Sequence, residues 1–214
     1  MTDDLLHTPQ QGRSRETLTR ILEAAEALMS AKPFEKITVA EIVKKAKTTT
    51  GSFYARFPDK AALLESMHAQ HVAESVTLLK KQMDQMEGLP PKDRIKALVS
   101  IVGSVFRKRP ALMRSGTLMF WNNMSSTTAP VPSSTLHLEF ADQIKRVRHA
   151  LEKISQEIGN PKAKAAANFA LKISLSASRQ HYLFSDDRTI LSISNQGFER
   201  ELSAMVFAYL THGE

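Results

Sequence analysis

Five adjacent residues, Thr48-Thr49-Thr50-Gly51-Ser52, set four hydroxyls around one glycine inside a strongly basic stretch. A hydroxyl both donates and accepts, so this run can bind phosphate oxygens or the edges of bases, and a threonine methyl can meet a thymine methyl. Gly51 allows a second backbone to come close. Between Lys36 and Lys60 six basic residues (Lys36, Lys44, Lys45, Lys47, Arg56, Lys60) face two acids, Glu41 and Asp59, so four of the seven net charges of the chain fall here. That local excess says more than a pI of about 9.7, because any basic protein attracts polyanions. Tyr54 can offer its hydroxyl to a phosphate, whereas Phe53 suits a core.

Other chemistry is poorly provided for. Cysteine is absent, which removes disulfides and thiolate metal sites and fits a reducing cytoplasm. There is no phosphate-cradling glycine loop, no His-Glu-x-x-His and no Gly-x-Ser-x-Gly, so no enzyme is expected. His68 and His71 are spaced for a metal, but no third ligand is in view; neither metal nor cofactor is expected.

The elements that must hold the hydroxyl run read as helices. Residues 1–12 are polar, carry Pro9 and Gly12, and are expected as a flexible arm. Leu18, Ile21, Leu22, Ala25, Leu28 and Met29 form one apolar stripe over 14–30, ended by Pro33. Thr38-Val39-Ala40-Glu41 is a capping box for a short helix to about Ala46. A second short helix follows over 48–56, and Asp59 caps a long one from Lys60 to about Met86. Two short helices joined by a tight turn and followed by a long one are the layout of a helix-turn-helix, whose second helix enters the DNA major groove. The expected organisation is all-α: the arm, a DNA-binding domain over 13–60, and a larger helical domain over 61–214. Arg56 is either a solvated charge or a DNA contact; Arg13 and Arg15 either follow the groove or stand in solvent.

Thr38 to Ala46, the run Thr48 to Phe57 with its aromatic-Tyr-x-x-Phe, and Asp59-Lys-Ala-Ala-Leu-Leu64 together resemble the TetR (tetracycline-repressor) family of bacterial regulators over residues 14–66. The resemblance implies a sequence-specific DNA-binding regulator, a repressor, that binds double-stranded operator DNA as a homodimer. It implies groove-facing roles for Thr49, Thr50, Gly51 and Ser52, phosphate contacts for Tyr54 and Lys60, and for Thr38 the start of the helix lying across the backbone. Lys47, Thr48 and Arg56 complete the candidate DNA-binding set. Lys47 stands where the family usually has glycine in a left-handed conformation, a departure costing about 1 kcal/mol while adding charge. Pro33-Phe34 replaces a common Gly-aromatic pair.

The rest of the chain reads as further helices over 92–108 and 111–124, a loop over 125–134, and helices through Ile158, over 163–184 and over 189–212. Ala170, Ser174 and Ala177 are small enough for close helix approach, and Phe198, Leu202, Met205 and Tyr209 form an apolar stripe; these seven are the candidate dimer interface, since one recognition helix reads too few base pairs alone. The alternative is that they serve the core of one chain. Phe106, Met113, Phe120, Trp121, His137 and Phe140 are candidates to line a pocket for a small apolar or aromatic effector, or are simply core. No apolar run reaches the ~20 residues of a membrane span. A DNA-coating protein and a helical module for a protein partner remain as rival readings.

Overall fold

The computed structural model describes residues 9–124, 135–184 and 192–211, with side chains over 14–118, 141–184 and 192–211. Within these bounds the chain is all-α: α1 (Pro9–Met29), α2 (Val39–Lys45), α3 (Thr50–Tyr54), α4 (Lys60–Asp84), α5 (Pro91–Arg107), α6 (Pro110–Met124), α7 (Thr135–Glu157), α8 (Ala163–Phe184) and α9 (Asn195–Thr211), with one 3-10 turn at Phe34–Lys36. The ends follow local chemistry. Thr49 accepts from Ser52 N at 3.1 Å, so α3 begins at Thr50 and not at Thr48. Asp59 caps α4 through Ala62 N at 2.8 Å. Ser194 takes Gly197 N at 3.1 Å, which starts the last helix at Asn195, later than the expected 189. Helix α1 begins at Pro9, so residues 9–12, expected in the arm, are helical. The expected loop at 125–134 lies outside the described residues.

Apolar side chains gather in three clusters. The head packs Ile21, Ala25 and Met29 of α1 against Ile42 and Val43 of α2, Phe53 of α3, and Leu63, Leu64 and Met67 of α4. Its core therefore runs past residue 60, the boundary expected from sequence. The body packs Leu79 of α4, Ile95 to Val102 of α5, Val147 to Ile154 of α7, Ala166 to Leu171 of α8, and Leu202 and Val206 of α9. A small third cluster joins Val105 and Phe106 to Leu183.

Two helices tie head to body. Helix α4 belongs to both cores, and α6 inserts Leu112, 1% exposed, into the head. Helix α6 also lies so close to α4 that a Cβ at Gly116 would stand 2.0 Å from His68 Nε2, so a larger residue there would require the imidazole to move. Arg109, at the start of α6, pairs with Glu26 of α1 at 3.3 Å and Glu74 of α4 at 3.2 Å. His71, buried in α4, donates from Nε2 to the Val105 carbonyl of α5 at 2.9 Å. Its pKa is lowered, first by burial, with Arg109 and Lys108 adding to the shift and the Val105 bond and Glu74 opposing it. That bond, and the packing of His68 on Gly116, direct the two rings to different neighbours. Among the described residues no group of three or more His, Cys, Asp or Glu could hold a metal ion, and no helix is long and apolar enough to cross a membrane.

Candidate nucleic-acid interface

The short helix α3 is anchored from below. Phe53 is fully buried and meets Phe57 at 5.6 Å between ring centroids, with Tyr54 edge-on at 5.3 Å. One turn of helix has almost no stability alone. This aromatic wedge, stabilising by roughly 1.5–3 kcal/mol per buried side chain, keeps it formed. With Phe53 inward, Thr50, Gly51, Tyr54 and Ala55 face outward, and Tyr54 is 53% exposed.

The turn before α3 is a Schellman motif. Lys47 N donates to Lys44 O at 3.3 Å and Thr48 N to Val43 O at 3.0 Å, closing α2 with Lys47 at φ +50°. The same pattern ends α7, where Gly159 N donates to Gln156 O and Asn160 N to Ser155 O, with Gly159 at φ +83°. Glycine takes that conformation without strain and a lysine does not, so the left-handed position inferred for Lys47 is the one it occupies. Lys44, Lys45 and Lys47 are exposed beside the start of α3, with Thr48 half-buried between them and the core.

Several expected contacts are engaged within the chain. Thr38 accepts from Glu41 N at 3.2 Å and donates to Glu41 Oε2 at 2.9 Å, and Glu41 in turn accepts from Thr38 N and from Lys32 Nζ at 2.5 Å. Lys32, then Thr38, hold the Glu41 carboxyl down to about 2. Thr49 donates to Ser52 Oγ at 3.0 Å as well as capping α3. Lys60, read from sequence as a phosphate contact, donates within the chain to the carbonyls of Phe34, Glu35 and Ile37 at 2.9, 3.0 and 2.8 Å, over the Phe34 ring. An ammonium has three N–H donors, and here all three close the 3-10 turn onto α4. Arg56 donates to Ser52 O at 2.7 Å and to Ser14 O and Oγ at 3.1 Å, tying the end of α3 to α1. Both cations therefore position the head. Sequence spacing does not reveal such long-range bonds.

In the body, Phe106 and Met113 come together with Val105 and Leu183. The side chains of Phe120, Trp121, His137 and Phe140 lie outside the described residues. The candidate dimer set divides. Ala170, Ser174 and Leu202 are buried in the core of the chain itself, Ala177 packs against that core, and Phe198 stacks on His181 at 4.0 Å. The small residues of α8 let it approach α5 and α7 within one chain, and Ala170, Ser174 and Leu202 are covered there by that chain's own helices. Met205 and Tyr209 do face outward, 50% and 41% exposed, joined by Phe169, 50% exposed and 5.1 Å from the Tyr209 ring. Phe169 lies off the buried Ala166, Ala167 and Ala170 face of α8, and no spacing within that helix singles it out. Its partner lies on another helix.

The class defined by this geometry is a helix-turn-helix head on a helical body. Residues 21–67 match the model of the bacterial regulatory proteins of the tetR family. YerO of Bacillus subtilis, an uncharacterized HTH-type transcriptional regulator, is 30% identical over 41% of this chain and 30% of its own length. The transcriptional repressor KstR of Rhodococcus jostii is 26% identical over 60% of this chain and 57% of its own. The chain thus spans less than two thirds of the length of these curated relatives. The fold of FadR from Bacillus subtilis, solved in complex with stearoyl-CoA, superposes with a TM-score of 0.56 at 17% identity, covering 92% of this chain and 98% of that one. Over residues 21–67, its helix-turn-helix head, the chain is similar to the bacterial regulatory proteins of the tetR family.

Proposed function

We propose that this protein is a homodimeric, cytoplasmic transcriptional repressor that reads a palindromic operator with α3 and leaves it when a small apolar effector enters the helical body. The observation that carries the DNA-binding part is the outward face of α3. Gly51 sits inside a five-residue helix with only Thr49 Oγ1, at 3.9 Å, near where its Cβ would be. Nothing in the chain itself requires a glycine there, and in a helix it costs about 1 kcal/mol relative to alanine. A close approach by a groove wall accounts for it. Thr50 and Tyr54 on the same face supply a hydroxyl for a base edge and one for a phosphate, and Lys44, Lys45 and Lys47 supply the charge.

Dimerisation is supported by the exposed Phe169, Met205 and Tyr209 on α8 and α9, large apolar groups that water leaves unsatisfied. Effector control is supported by the route from body to head. Helix α4 runs through both, and Arg109 and Leu112 of α6 bind the head directly. A ligand that moved α4 or α6 would tilt α3 and spoil the fit of two heads to half-sites ~34 Å apart. The repressor named among the relatives and the acyl-CoA complex of FadR agree with this reading.

The experiment is selection of bound duplexes from random DNA, followed by anisotropy titration of the selected site. Thr50→Ala with Tyr54→Phe should weaken specific binding by about 30-fold or more while leaving the helical content unchanged. Equal affinity of wild type and double variant for the selected duplex would overturn the assignment of α3.

A further inference from the structure

Residues 107–109 turn α5 into α6, and their two arginines reach different halves of the molecule. Arg107, the last residue of α5, pairs with Glu199 of α9, and its guanidinium lies 5.8 Å from the centre of the Tyr182 ring. Glu199 also accepts from the Tyr182 hydroxyl of α8 at 2.7 Å. Gly103 of α5 makes room for that ring, since a Cβ there would stand 3.0 Å from Tyr182 Cε2. Helices α5, α8 and α9 are thus tied at one carboxylate. Two residues on, Arg109 spans Glu26 of α1 and Glu74 of α4 at 3.3 and 3.2 Å. Glu74 is held in turn by Gln70 Nε2 at 3.1 Å.

The joint itself is stiff. Lys108 keeps a helical backbone with its N–H on Ser104 O at 3.3 Å, and Arg109 O accepts from Met113 N at 2.9 Å. Pro110 fixes φ at the first residue of α6. The Cα atoms of residues two apart separate by at most about 7 Å, so Glu199 of α9 and Glu26 of α1 are fastened through one short, ordered link. Just before it, the buried bond from His71 to the Val105 carbonyl at 2.9 Å fixes α4 to the end of α5. Each exposed ion pair shifts an equilibrium by about fivefold at most, too little to make the fold. Several on one joint can still hold the angle of a head that α4 and α6 alone would let rock.

We propose that residues 107–109 form a strut between the helix bearing the proposed dimer surface and helix α1 of the head. Arg107 and Arg109 are its positioning residues: they fix the separation of the two heads, and with it the half-site spacing that the protein accepts. This rests on the homodimer reading above and needs no effector. DNA magnifies small errors of placement. One base pair added between half-sites moves them ~3.4 Å apart and turns one by roughly 34° about the axis. Rigidly held heads reject such an operator, and loosely held ones follow it.

The test is the affinity of the full chain for its selected operator and for versions with one base pair added or removed at the centre. Wild type should lose ~10-fold or more on either change, whereas Arg109→Gln, Glu26→Gln and Arg107→Gln should lose ~3-fold or less. Arg109→Gln and Glu26→Gln alter net charge in opposite senses, so a shared loss of spacing preference is not an effect of charge on DNA attraction. Arg146→Gln, which breaks a pair within α7, should behave as wild type. Because the chain has no cysteine, Glu23→Cys on the exposed side of α1 carries one nitroxide per subunit. The label-to-label distance distribution without DNA should broaden in Arg109→Gln, with the melting temperature little changed. Unchanged spacing preference in the variants, a wild type as tolerant as they are, or equal distance distributions discard the strut and leave the homodimer reading standing. A selected duplex with a single half-site, or a monomer with no label-to-label distance, discards both.

Discussion

At Lys47 a local cost and a long-range gain meet in one residue. Its left-handed backbone is the one Gly159 adopts at the equivalent point of α7. Lys47→Gly should therefore stabilise the chain by about 1 kcal/mol, a rise of roughly 2–4 °C in melting temperature. If the ammonium meets a phosphate, the same change should lower operator affinity and reduce the slope of log K against log salt by about one per subunit. A melt and a salt series on one variant thus separate strain from charge; an unchanged salt slope would place Lys47 away from the DNA. Glu41 gives a second prediction at this scale. Its carboxyl is held at about 2 against 4.5 by Lys32 and Thr38. A lowered carboxyl contributes stability above its unfolded value and loses it as pH falls through the folded one. Glu41→Gln should accordingly lower the melting temperature at pH 6 and match wild type as pH approaches 2, with the difference closing between pH 4.5 and 2.

Helices were legible wherever local signals set them. The capping box at Thr38, the Asp59 cap and the 3.6-residue stripes place α2, α4 and the body helices within a few residues, because each signal is carried by neighbours in the chain. What could not be read was how elements meet. Lys60 reaches carbonyls some twenty-five residues earlier, Arg56 reaches Ser14, and small residues of α8 pack inward, where close approach within the chain and between chains look alike in sequence. The tie between α4 and α5 at His71 is another such meeting, and it should titrate. Burial lowers the His71 pKa from 6.5, so the unfolded chain takes up a proton that the folded chain resists, and stability falls as pH drops below 6.5. His71→Gln can keep a donor toward Val105 and cannot titrate; it should flatten the loss of melting temperature between pH 7 and 5. Equal slopes for wild type and variant would mean that His71 is not the group responsible.

At the scale of the whole molecule, the homodimer proposed above requires a surface that joins two heads. Only outward residues can do so; on the paired faces of α8 and α9 these include Phe169, Met205 and Tyr209, whereas the Leu202 side chain holds α9 to the core of its own chain. Large apolar groups at the centre of an interface commonly contribute 2 kcal/mol or more each, so placing a charge on two of them should raise the dimer dissociation constant by at least ~100-fold. Phe169→Glu with Met205→Glu should elute and scatter light as a folded monomer at micromolar concentration, with the melting temperature little changed because both side chains already face solvent in the single chain. Leu202→Ala makes the contrast: a loss of roughly 2–5 kcal/mol in stability from the cavity it leaves. Operator binding should fall with the dimer in the double variant even though α3 is untouched, because a monomer presents one head to one half-site and forfeits the second set of contacts. A double variant that stays dimeric would move the interface elsewhere on the body, and one that is monomeric yet binds the full operator as tightly as wild type would remove the need for two heads.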